Sequence, residues 1–128
     1  MVTSTKLVSG LAFEITTSDF TAKSDVSQSI GGNHSAPTPH DYIEIALAAC
    51  TSITVQMYAK RKEIPLDYTD VKVNITSEGP AGNTISREVN FVGANLTAEH
   101  KQTLLTIAEK CPIHKFLTAG AKITTTMV

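Results

Sequence analysis

Apolar residues lack a helical period near the start of the chain and gain one in its middle. The first stretch, residues 6–25, is rich in Thr, Val, Phe and Ile and is interrupted at Ser9-Gly10 and at residues 17–19. This pattern predicts two or three short antiparallel strands. Residues 30–39 then combine two glycines and two prolines with small polar side chains, which predicts a loop.

A long helix follows this loop. Thr38 is suited to the N-cap, Pro39 to the first helical position and Asp41 to the third, and Pro65 stops the helix after about residue 62. Apolar or small residues recur at steps of three and four and also flank this stripe: Ile43, Ile45, Ala46, Leu47, Ala49, Cys50, Ile53, Thr54 and Met57. Because the helix is apolar on more than one side, we expect a second copy of the chain to cover part of it in a homodimer.

The second half of the chain alternates strand and helix patterns. Residues 68–75 and 85–91 predict a hairpin whose loop spans residues 78–83. Thr97 is suited to cap a helix that has His100 at its third position and ends near Cys111. A short helix over 112–117, closed by Gly120, and a last strand over 121–128 complete the prediction. The fold class is therefore α+β, mostly antiparallel, in one domain spanning residues 1–128.

Composition and charge exclude several classes of function. The chain has 128 residues, of which 41% are hydrophobic, enough for the core of one compact domain. Its net charge is −1 and it lacks a long basic run, so we expect no nucleic-acid partner. It has neither a secretory signal pattern nor an apolar run near ~18 residues, which predicts a soluble, cytoplasmic protein without a membrane partner.

The two cysteines, Cys50 and Cys111, are too few for a disulfide scaffold. Cys50 lies among small residues on the long helix, where it is either a small hydrophobe in a helix seam or a reactive thiol. Cys111 precedes Pro112; it either simply ends one helix or caps the next, where backbone N–H groups favour a thiolate. Two such thiols can form a sulfenic acid and then a disulfide, and this chemistry needs no cofactor.

Other polar residues are weaker candidates for a site. His40 precedes Cys50 by ten residues, nearly three turns, so it either lines a shared pocket or is an exposed first-turn histidine. Glu44 lies about 600° before Cys50 around the helix, so it acts across a dimer or pairs with a cation elsewhere. Cys111 and His114 have the spacing of one metal-ligand pair, but no second pair accompanies them, and we expect no metal site.

Two segments together resemble the OsmC/Ohr family of osmotically inducible and organic hydroperoxide resistance proteins. They are APTPHDYIEIALAACTSITVQMYAKRKEIPLDYTDVKV, at residues 36–73, and LTIAEKCPIHKFL, at residues 105–117. The resemblance implies an OsmC-like fold in which two chains intertwine, their long central helices pack together, and two active sites form between subunits. It also implies cysteine-based reduction of peroxides, with Cys50 in the position of the peroxidatic cysteine and Cys111 in that of the resolving cysteine.

The sequence departs from the hydroperoxide-resistance branch of this family in two places. That branch has a glutamate at the position matched by His40 and an arginine in its N-terminal half, whereas residues 1–60 here contain no arginine. Lys6, Lys23 and Arg87 are the candidate substitutes, although a lysine lacks the planar guanidinium that grips a carboxylate. The sequence resembles a less characterised OsmC-like branch, and we expect Cys50 to be less acidic than in the hydroperoxide-resistance branch.

The function predicted from these observations is a thiol-dependent peroxidase for organic hydroperoxides, with hydrogen peroxide as a further candidate substrate. Cys50 and Cys111 are the catalytic residues, His40, Glu44 and Arg87 are candidate pocket residues, and an external dithiol regenerates the thiols. The alternative is a redox-sensing or small-molecule-binding dimer with the same fold and weak turnover. A purely structural dimer is the third possibility.

Overall fold

The computed structural model describes the backbone of all 128 residues and every side chain except those of Thr5 and Lys6. It confirms the predicted α+β class, with antiparallel sheets and three α-helices among the described residues. The chain forms two compact units, Met1–Ile43 and Glu44–Val128, and the long central helix contains the boundary between them. None of the helices in the described structure has the length and apolar character that crossing a membrane would require.

The N-terminal unit contains a three-stranded antiparallel sheet in sequence order. Its strands are β1 (Thr3–Ser9), β2 (Ala12–Thr16) and β3 (Thr21–Ser24), and both interruptions predicted from the sequence are turns. Gly10 has a φ of 54° at the first turn, a backbone conformation that favours glycine. A 3-10 helix, Gln28–Ile30, precedes the predicted loop.

The loop is held in place by Asp25, a buried residue that the sequence analysis did not single out. The carboxylate of Asp25 accepts hydrogen bonds from the backbone N–H groups of Val26, Asn33 and Ser35, and from the Ser35 hydroxyl at 2.6 Å. These bonds, led by that of the Ser35 hydroxyl, lower the pKa of Asp25 to about 2. One side chain therefore joins the end of β3 to a segment ten residues later.

The central helix, α1, spans Pro39–Arg61, one residue shorter than predicted. Its predicted start is confirmed: the Thr38 hydroxyl accepts a bond from the Asp41 N–H, and the Asp41 carboxylate accepts one from the Thr38 N–H. Two apolar stripes run along the helix at intervals of four residues. Leu47, Thr51, Val55 and Ala59 form the buried stripe. Ile45, Ala49, Ile53 and Met57 form an exposed stripe, hereafter the outer stripe.

The predicted hairpin is confirmed as β4 (Tyr68–Ser77) and β5 (Thr84–Val92), which pair in antiparallel register with Val73 opposite Arg87. The six-residue loop between them matches the prediction. Along both strands polar exposed residues alternate with half-buried ones, as expected of a sheet with one solvated face. The hairpin therefore presents one face, including Arg87, to the rest of its unit.

Two short helices complete this unit. Helix α2 spans Ala98–Ala108 and begins with the predicted cap, in which the Thr97 hydroxyl accepts from the His100 N–H and the His100 ring accepts from the Thr97 N–H. It ends three residues before Cys111, and α3 (Pro112–Ala119) follows. The core joins α1, β5 and α2 with the loop after α1, through Val55, Ala59, Leu66, Phe91, Leu104 and Ala108.

The predicted last strand is wrong: residues 121–128 have no regular secondary structure and are exposed. The Thr-rich sequence has the composition of a strand, but a strand forms only when its backbone groups bond to a neighbour. Neither sheet among the described residues includes this segment.

Candidate functional site

Cys50 lies at the edge between the two faces of α1. At 100° per residue it is about 20° from Met57 of the outer stripe and about 100° from Thr51 of the buried stripe. The thiol is partly exposed, and its sulfur lies 3.9 Å from the Thr54 hydroxyl one turn further along the helix. Cys50 is therefore accessible from solvent and still within reach of groups in the core.

Cys111 lies at the N-cap of α3, which is the second of the two alternatives that the sequence left open, and it is fully buried. Its sulfur accepts a hydrogen bond of 3.4 Å from the His114 N–H. The Ile113 N–H, from the same first turn, bonds to the sulfur of Cys50. Pro112 occupies the first helical position, where no N–H is needed. The N-terminus of α3 thus donates one backbone N–H to each sulfur and brings the two cysteines into one site.

The surroundings of Cys50 favour its ionised form. Burial opposes ionisation, but it is outweighed by hydrogen bonds from the Ile113 N–H, the Cys111 thiol and the Thr54 hydroxyl, and by the positive charge of Arg87. The pKa of Cys50 therefore lies below the ordinary value for a thiol. A lowered pKa gives a larger fraction of thiolate, the nucleophilic form, near neutral pH.

Arg87 reaches this site from β5, and its side chain is only 9% exposed. One guanidinium nitrogen donates to the Thr51 hydroxyl at 3.0 Å, and the other terminal nitrogen lies 3.2 Å from Oε1 of Glu109. The second carboxylate oxygen of Glu109 is 3.5 Å from Nε2 of His114. Thr51 and Glu109 therefore fix the guanidinium from two sides while its charge acts on Cys50.

The other two candidate pocket residues, Glu44 and His40, lie nearer the start of α1 than Cys50. Glu44 is on the buried side of α1, turned about 120° from Cys50, and its carboxylate accepts a 2.8 Å bond from the Ile75 N–H. Its partner is thus a backbone amide of β4 rather than the cation considered above. His40 is exposed in the first turn of α1, beside Asp41. Among the described residues, no group of three His, Cys, Asp or Glu side chains is placed to hold a metal ion.

The three candidate substitutes for the family's N-terminal arginine lie in different parts of the chain. The structure places Arg87 at the site, whereas Lys23 lies on β3 in the other unit and the Lys6 side chain lies outside the described residues. Sequence reasoning missed Thr51 and Glu109. Thr51 follows Cys50 directly, and Glu109 precedes Cys111 by two residues, but their contacts with Arg87 span 36 and 22 residues, and no local pattern signals them.

The α+β fold and the site shared by two cysteines define the class of protein, and a match to a family model identifies the family. It belongs to the OsmC family, since the family model described as OsmC-like protein matches residues 31–126. No protein with a curated description matches the sequence.

Solved structures share the fold. An OsmC-like protein from Mycoplasma pneumoniae is 18% identical, with a TM-score of 0.67 over 90% of this chain and 84% of its own. The organic hydroperoxide resistance protein OhrB of Bacillus subtilis is 22% identical, with a TM-score of 0.61 over 90% and 87%. An organic hydroperoxide resistance protein OsmC from Legionella pneumophila is 17% identical, with a TM-score of 0.61 over 87% and 90%.

Proposed function

We propose that this protein is a thiol-dependent peroxidase that reduces organic hydroperoxides. The observation that carries the proposal is the convergence of both sulfurs on the N-terminus of α3, where the Ile113 N–H bonds to Cys50 and the His114 N–H bonds to Cys111. The names of the structural relatives from Bacillus subtilis and Legionella pneumophila, organic hydroperoxide resistance proteins, support the same reaction class.

In the first step the Cys50 thiolate attacks the distal oxygen of the hydroperoxide. A sulfur–oxygen bond forms and the oxygen–oxygen bond breaks, so that Cys50 becomes a sulfenic acid and the alkoxide takes a proton to leave as an alcohol. The Ile113 N–H and the charge of Arg87 stabilise the attacking thiolate. The exposed side of Cys50 gives the substrate access.

In the second step Cys111 attacks the sulfur of the Cys50 sulfenic acid. The disulfide forms, the sulfur–oxygen bond breaks, and the departing hydroxide leaves as water with the proton that Cys111 has lost. An external dithiol then reduces the disulfide and restores both thiols. No cofactor takes part in this cycle.

An organic substrate suits the surface around Cys50. Met57, which lies on nearly the same side of α1, is 68% exposed, and Ile53 belongs to the same outer stripe. On α3, Phe116 is also exposed. An apolar tail beside these side chains would remove apolar surface from water, which hydrogen peroxide cannot do. Hydrogen peroxide is therefore the poorer substrate in this proposal.

The same outer stripe supports a homodimer. Ile45, Ala49, Ile53 and Met57 present a continuous apolar face opposite the buried face of α1, and a surface helix of a monomer ordinarily carries polar residues there. A second copy of the chain, with its own outer stripe, would cover this face by a two-fold contact. Cys50 lies at the edge of the stripe, so in the dimer the apolar tail of the substrate would lie between Met57 and the partner subunit.

The experiment compares wild type with Cys50→Ser and Cys111→Ser, using cumene hydroperoxide and dithiothreitol. We expect Cys50→Ser to consume no hydroperoxide, and Cys111→Ser to react once and then accumulate Cys50 sulfenic or sulfinic acid, detected by mass spectrometry. Equal behaviour of the two variants would show that the assignment of attacking and resolving cysteines is wrong. Wild type that forms the disulfide with one equivalent but does not turn over would favour the redox sensor instead.

A further inference from the structure

Thr51 lies between Arg87 and Cys111 and contacts both. Its hydroxyl is fully buried and has three neighbours: the Leu47 carbonyl at 2.7 Å, Arg87 at 3.0 Å and the sulfur of Cys111 at 3.9 Å. Arg87 has no hydrogen-bond acceptor site, so it donates to the Thr51 oxygen. The single hydroxyl proton therefore has two possible acceptors, the Leu47 carbonyl and the Cys111 sulfur.

In the resting protein the shorter distance assigns the proton to the Leu47 carbonyl, which is the usual acceptor for a threonine one turn further along a helix. A hydroxyl hydrogen turns about its C–O bond without moving the heavy atoms. Negative charge on the Cys111 sulfur would make that sulfur the stronger acceptor and would turn the hydroxyl towards it. The Leu47 carbonyl keeps its position in the helix throughout.

We propose that the Thr51 hydroxyl assists the resolving step, by donating to the Cys111 sulfur as that sulfur loses its proton. This inference rests on the proposed peroxidase cycle. Cys111 is completely buried, and a charge that forms on its sulfur needs donors inside the protein. The His114 N–H is one such donor, and Thr51 is the second. Because Arg87 donates to the same hydroxyl oxygen, it polarises the O–H group and strengthens the donation.

The resolving step conserves atoms and electrons without a further reactant. Cys111 gives up its proton and attacks the Cys50 sulfenic sulfur; the sulfur–sulfur bond forms as the sulfur–oxygen bond breaks, and hydroxide leaves with that proton as water. Cys111 is oxidised and Cys50 is reduced by the same electron pair. Thr51 keeps its own proton and only changes its acceptor.

The test compares Thr51→Ser with Thr51→Ala, two variants that both lack the threonine methyl group and differ from each other by the hydroxyl alone. Excess hydrogen peroxide converts Cys50 to the sulfenic acid, and dimedone labelling and mass spectrometry follow its decay to the disulfide in single-turnover experiments. We expect disulfide formation about tenfold slower in Thr51→Ala than in Thr51→Ser, with the sulfenic acid accumulating in the former, because a donor to a charged sulfur is lost. Thr51→Ser should resolve at close to the wild-type rate.

Thr106→Val is the matched control, because the exposed Thr106 hydroxyl, like that of Thr51, bonds to the carbonyl four residues earlier in its helix, here Gln102 of α2. It should leave the resolving rate unchanged. Equal resolving rates in Thr51→Ser and Thr51→Ala, with both variants folded by circular dichroism, would overturn the inference. Failure of the peroxidase proposal gives a different result, namely absence of organic hydroperoxide turnover by wild type while the peroxide-treated protein still resolves to a disulfide.

Discussion

Arg87 on β5 donates a 3.0 Å hydrogen bond to the hydroxyl of Thr51 on α1, between residues that are 36 positions apart in the sequence. This bond holds a guanidinium beside the two cysteines. Residues 1–60 contain no arginine that could take its place. Glu109, just before Cys111, holds the same guanidinium by an ion pair of 3.2 Å. A strand, a long helix and the junction of two short helices therefore contribute to one arrangement of charge around Cys50.

The first prediction concerns the acidity of Cys50. Since the charge of Arg87 contributes to the lowered pKa of Cys50, Arg87→Met should move the midpoint of Cys50 alkylation to higher pH. Arg87→Lys should recover part of the shift, because it keeps the charge and loses the fork that bonds Thr51 and Glu109 together. Iodoacetamide labelling of the Cys111→Ser background against pH measures the midpoint.

Arg61→Met is the control for this series. Arg61 lies over the ring of Tyr58, away from the sulfurs, so its loss should leave the Cys50 midpoint unchanged. An Arg87→Met midpoint equal to that of the same background with Arg87 intact would contradict the role given to Arg87.

The second prediction concerns assembly. Ile53→Glu places a charge in the centre of the outer stripe and should convert a dimer into a monomer, because a buried unpaired carboxylate is costly. Sedimentation at micromolar concentration gives the mass. Leu105→Glu, at another exposed apolar position on α2, is the control and should remain dimeric. A folded wild type of monomeric mass would show that the dimer is wrong.

The third prediction concerns stability in acid. The pKa of Asp25 is about 2 in the folded protein against 3.8 for an ordinary aspartate, so the unfolded chain binds more protons between these values. The contribution of Asp25 to stability is therefore complete above pH 3.8 and is lost as the pH falls towards 2. Urea unfolding from pH 2 to 6 should show this loss in wild type and a smaller pH dependence in Asp25→Asn.

Ser35→Ala should give an intermediate result, because it removes the bond that lowers the pKa of Asp25 most. Some pH dependence will remain in both variants, since hydrogen bonds from the Thr38 backbone and side chain also lower the pKa of Asp41. An Asp25→Asn variant with the full wild-type dependence would contradict the assignment to Asp25.

The fourth prediction concerns a close approach at Gly93, after β5. A Cβ atom there would collide with the backbone carbonyl of Pro65 and press on the Leu96 side chain. Gly93→Ala should therefore lower the free energy of unfolding by about 1–3 kcal/mol, the usual cost of overpacking. Gly79→Ala is the matched control, because a Cβ atom at Gly79 meets nothing within 4 Å. Equal urea midpoints for the two variants would contradict the prediction.

The sequence by itself determined most of the local elements and identified the two cysteines. Helix starts such as Thr38-Pro39 and Thr97 can be predicted from the local sequence, because a cap involves residues only three positions apart. The hairpin with its six-residue loop and the position of Cys111 ahead of Pro112 were predictable for the same reason. The fold class followed from the order of these elements.

The tertiary structure alone decided which groups surround the sulfurs and which segments pair. The contacts of Arg87 with Thr51 and Glu109, and of Glu44 with the Ile75 N–H, join elements far apart in the chain. Residues 121–128 have the composition of a strand and do not form one, since pairing depends on an available neighbour rather than on composition. Side chains on separate elements meet only when the elements pack, and local sequence patterns do not specify which elements will pack together.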